Sequence, residues 1–115
     1  MISIEGKNSS QPILLYHNCL LEPKSSEIMG LVLGNCVYGK NGSLKGKIIN
    51  HSFYNTGGEK IGVENFLGSH PSTFNHHKLS EGRWTILQSI RDHNPPWVEP
   101  KEKWADTDLL EYLNG

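Results

Sequence analysis

Residues 28–67 read IMGLVLGNCVYGKNGSLKGKIINHSFYNTGGEKIGVENFL. The stretch holds long runs of strand-type residues and folds back where glycines cluster, at Gly39-Lys40-Asn41-Gly42-Ser43 and at Asn55-Thr56-Gly57-Gly58. Asn-Gly is a strong hairpin signal, because both central residues of a type I′ turn need positive φ. Strands are therefore expected over 27–38, 44–55 and 59–66, joined as an antiparallel ribbon. Gly30 and Gly34 share a face of the first of these, where a bend, a bulge or close packing would explain them.

Upstream, 13–21 is a further strand, bounded by Pro12 and Pro23, which lack the amide donor a ladder needs. It is apolar on both faces, as in a central strand or a barrel wall. Ile2 and Ile4 alternate like a short edge strand. The sheet expected is a meander of four strands, or five, curled or barrel-like.

Downstream, 68–80 is a polar loop. A helix is expected over 81–93, with Ser80 as its N-cap and Trp84, Ile86, Leu87 and Ile90 as its apolar stripe. Asn94-Pro95-Pro96 stops it, since residues before proline leave the α region. A last helix is expected over 107–113, where Asp108 and Glu111 have capping-box spacing. No internal repeat is read. Sheet first and helices second make an α+β domain: 1–67 sheet, 68–80 loop, and an 81–115 tail rich in helix, proline and tryptophan that packs on the sheet.

The chain's 115 residues are enough for one core and too few for two. Charged residues at 20% and hydrophobic ones at 36% describe an ordinary globular domain. A net charge of −1 creates no general attraction for nucleic acid or an anionic membrane. No apolar run approaches the roughly 20 residues that span a bilayer. Residues 1–11 lack a basic region followed by an apolar one, so the chain reads as cytoplasmic, with Cys19 and Cys36 reduced.

Chemistry is sparse. His70, His76 and His77 invite a zinc reading, with Cys19, Cys36, His17 or His51 as further ligands, but adjacent histidines diverge and no metal-binding motif surrounds them. A solvated polar loop explains them more simply, and no cofactor is expected. Cys19 and Cys36 sit in apolar runs, where cysteine behaves as a small hydrophobe. Lys40, Lys45 and Lys47 near Tyr38 resemble a weak nucleic-acid surface, opposed by Glu59 and Glu64 on the neighbouring strand. Trp97, Trp104 and Tyr112, with Pro96, are candidate binding residues, because exposed tryptophan marks interface anchors.

The sequence therefore supports a non-enzymatic protein-binding or assembly module, acting on a protein partner or on itself. A small metal-binding protein or hydrolase using 70–77 is the alternative, and a small-ligand carrier a further one.

Overall fold

The computed structural model describes residues 2–6, 12–22, 27–66, 76–90 and 98–114. Strand-rich sequence followed by helices gives the α+β composition expected, but the sheet is not a meander of four or five strands. Eight antiparallel strands close into a barrel: β1 (Ile2–Glu5), β2 (Ile13–Tyr16), β3 (Cys19–Leu21), β4 (Ile28–Leu33), β5 (Cys36–Gly39), β6 (Leu44–Ile49), β7 (Ser52–Asn55) and β8 (Lys60–Phe66).

The difference has one cause, repeated three times. Each long strand expected from the sequence is a hairpin folded at a two-residue turn. His17-Asn18 divides 13–21, Gly34-Asn35 divides 27–38, and Asn50-His51 divides 44–55. Both residues of the first and third turns have positive φ, at 48° and 65° and at 50° and 66°, as a type I′ turn requires. At the middle turn only Gly34 does, at 61°, the pattern of type II′.

The three hairpins are copies of one another, so the chain does contain an internal repeat. Leu15 faces Leu20, Val32 faces Val37, and Ile48 faces Phe53 at matching distances from their turns. Successive hairpins are also joined alike. The amides of Val32, Ile48 and Glu64 each donate to the turn carbonyl of the preceding hairpin, on Asn18, Asn35 and His51, at 2.8 Å every time. Bulges fall at equivalent places, after Leu20, Val37 and Phe53. Gly30, Gly46 and Gly62 lie opposite those same three residues. A Cβ on Gly30 or Gly46 would sit 2.2 or 1.8 Å from the carbonyl oxygen of Tyr38 or Tyr54, so only glycine permits this approach.

The fourth pair is β8 with β1, strands from opposite ends of the barrel's sequence. Ile4 faces Glu64 and Ser3 faces Asn65, the register in which Phe53 faces Ile48 and Ser52 faces Ile49. The N-terminal strand thus stands where the second half of a fourth hairpin would be. Sheet edges disappear by this closure.

Inside the barrel, Ile4, Leu20, Val37 and Phe53 form one equivalent ring, all at most 1% exposed. Ile13, Met29, Val32 and Ile61 share its cluster. Burying such side chains contributes roughly 1.5–3 kcal/mol each.

Among the described residues two helices accompany the barrel. Helix α1 (His76–Ser89) starts earlier than its expected bounds, placing Ser80 within the helix, not at its cap. It lies outside the barrel, with Leu79 and Ile86 packed over Leu14, Cys19, Leu21 and Leu31, while Ile90 just beyond it meets Cys36 and Tyr38. Helix α2 (Leu109–Asn114) adds Leu109 and Leu113 to the barrel's inner cluster. Asp108 caps it as its spacing with Glu111 predicts: the Glu111 amide points to Asp108 Oδ2 at 3.4 Å.

Candidate binding surface

The histidines expected to form a metal loop start the search for a site. His70 lies outside the described residues, as do the side chains of His76 and His77, whose backbone opens α1. Among the described residues no three of His, Cys, Asp and Glu come together as metal ligands would. His17 and His51, the other candidates, occupy two different hairpin turns and are exposed. His51 Nδ1 lies 3.1 Å from Glu64 Oε2, joining the third hairpin to β8. Glu64 takes the register that Leu15, Val32 and Ile48 hold in the other pairs, so a carboxylate stands opposite Ile4 where the other ring members face apolar side chains.

Both cysteines are free and buried. They occupy equivalent positions after the first and second turns, on the side that α1 covers. Burial pushes the Cys19 thiol up, only partly opposed by the positive charge of Arg83. A nucleophilic cysteine needs the opposite shift, so Cys19 is held as a packed apolar group.

The lysines of the weak basic patch have partners within the chain. Lys40 pairs with Glu27 at 3.0 Å, and Lys45 Nζ lies 5.5 Å from the centre of the Tyr112 ring. Surface pairs of this kind add little stability, but they take up charge that a phosphate backbone would need.

Of the aromatic candidates, Trp97 lies outside the described residues. Trp104 is half-buried. It forms a parallel bridge with Lys60, whose ammonium lies 5.5 Å from its ring centre. Two backbone bonds hold this seam, from the Lys60 amide to the Lys103 carbonyl and from the Ala105 amide to the Lys60 carbonyl. Tyr112 is half-buried against Phe53, ring centres 6.2 Å apart, and its hydroxyl donates to the Lys45 carbonyl. Both side chains therefore fasten the tail to the barrel.

Among the described residues, the large aromatic side chain that faces solvent is Trp84, 61% exposed. The stripe expected of α1 counted it inward with Ile86 and Ile90. Two positions on a helix are about 200° apart, so a helix that buries Ile86 turns Trp84 outward. Ser80 and Gln88, one turn away on either side, are exposed with it. No helix among the described residues is long and apolar enough to cross a membrane.

Comparisons with protein-family models, with curated proteins and with solved structures found no match for this chain.

Proposed function

We propose that this protein is a non-enzymatic binding or assembly module whose contact surface is the outer side of α1, centred on Trp84. The observation that carries the reading is the 61% exposure of a tryptophan on a helix that packs Leu79 and Ile86 on the barrel. Tryptophan presents a large rigid area at low entropic cost and recurs as the energetic centre of protein interfaces. The barrel serves as the frame that holds the helix. Its interior positions carry large apolar side chains, joined by Leu109 and Leu113 of α2, which favours a solid scaffold over a ligand carrier.

Sedimentation over about a hundredfold concentration range, repeated with Trp84→Ala and paired with a dye that reports apolar surface, tests this. The expected result is a mass that rises with concentration and dye binding, both reduced in the variant at unchanged melting temperature. A single-chain mass throughout, with dye binding indifferent to residue 84, overturns the proposal.

A further inference from the structure

We infer that β1 is an exchangeable strand, and that the slot it fills between β8 and β2 accepts β1 of a second copy of this chain. The inference does not depend on Trp84. It rests on how the barrel closes.

In each of the other hairpins a two-residue turn joins the two strands. β1 reaches the same register on β8 without such a turn, through four residue pairs from Ile2 opposite Phe66 to Glu5 opposite Val63. Its other seam, with β2, has neither the bulge nor the glycine found at the three equivalent junctions: Ile13 stands opposite Ile4 where glycine stands opposite Leu20, Val37 and Phe53. β1 also carries a fault the other repeats lack. Ser3 is 0% exposed and its Oγ has no hydrogen-bond partner among the described residues, whereas the equivalent positions hold Cys19, Cys36 and the less deeply buried Ser52. A buried hydroxyl without a partner opposes burial.

Withdrawing β1 would uncover two facing edges, on β8 and on β2, with an apolar socket at the place of Ile4 in the inner ring. The occupant that fits both edges and the socket is the identical segment of another molecule. Mutual exchange makes a closed, two-fold pair in which each copy completes the other's barrel.

The test is a Ser3→Cys, Asn65→Cys double variant. These residues face each other across the seam, and cysteine already occupies the place of Ser3 in two repeats. The protein is opened in denaturant, returned to native buffer at graded concentrations, and oxidised by a glutathione pair. The expected result is an internal link at low concentration and a covalent dimer whose share rises with concentration, unchanged when Trp84→Ala is added. Dimers held by Trp84 alone would leave every β1 at home and give internal links, so the two proposals fail separately. Internal links at every concentration overturn the exchange. Should the double variant not fold, wild-type chains in light and heavy isotope forms are co-refolded and read by native mass spectrometry. Mixed dimers that survive dilution for hours support the exchange, and their absence, or their rapid dissociation, overturns it.

Discussion

Three quarters of the barrel and its last quarter reach the same geometry by different routes. The hairpins β2–β3, β4–β5 and β6–β7 are local structures, closed by turns at 17–18, 34–35 and 50–51. The β8–β1 pair closes across residues 3 to 65, and nevertheless repeats their register. Register in this fold is therefore set less by the turns than by the inner ring, which demands an apolar side chain at one height on alternate strands. A slip of one residue would turn Ile4 outward and Ser3 inward, exchanging a core residue for a hydroxyl.

The comparison can be broken first at the ring. Phe53→Ala removes the largest member from a local hairpin and is expected to cost about 3–5 kcal/mol in urea melts. Ile4→Ala removes its counterpart at the seam for about 2–5 kcal/mol, with added loss of amide protection confined to β1 and its neighbours. Uniform loss of protection across the barrel in both variants would mean that the seam is no weaker than the hairpins.

The glycines sharpen the same point. Gly30→Ala and Gly46→Ala drive a methyl into backbone carbonyl oxygens of the next strand, and each is expected to cost about 2 kcal/mol or more. Gly62→Ala meets Ile4 Cγ2 at 2.7 Å and the Glu5 carbonyl only at 3.2 Å, both on β1. A displaceable strand yields, so this variant should lose less than the other two. Equal losses, measured by thermal unfolding, would contradict that.

Ser3→Ala should stabilise the protein by about 1 kcal/mol, because it deletes a buried hydroxyl with no partner among the described residues. A loss of stability would show that the hydroxyl has a role that this geometry does not explain.

The smallest effect expected is alkaline. Burial raises the Cys19 thiol above its ordinary 9.0, against the pull of Arg83, and raises the Tyr112 hydroxyl above 10.0, against hydrogen bonding from Thr56. In both cases the folded state favours the neutral form. Their contribution is full below those ordinary values and is lost as pH rises through the raised ones. Melting temperature should therefore fall above pH 9, and less steeply in Tyr112→Phe; a flat profile would contradict the burial of both groups.

Much of this was legible beforehand, and the misses are physical. Asn41-Gly42 and Gly57-Gly58 announce their turns because glycine accepts positive φ without cost. His17-Asn18 and Asn50-His51 do not, since asparagine and histidine visit that region far less often than glycine. Inside apolar runs these pairs read as strand, and one hairpin counted as one strand three times over. The repeat was hidden for the same reason: it resides in pairing register and in Gly30, Gly46 and Gly62, while the apolar side chains around them vary. Asp108 as a cap was readable from spacing alone. The outward turn of Trp84 was not, because it depends on which side of α1 the barrel takes, and Leu79 decides that together with Ile86 and Ile90.

The central claim is that β1 completes the barrel as the missing half of a fourth hairpin. Nuclear Overhauser contacts between the α-protons of Ile4 and Glu64 test it most directly. The Glu64 amide bonds to β7 and not to β1, so this pair is of the close, non-hydrogen-bonded kind. The account predicts a strong contact, matching those of Val32 with Val37 and of Ile48 with Phe53. Strong contacts within the hairpins and none between Ile4 and Glu64 would contradict it.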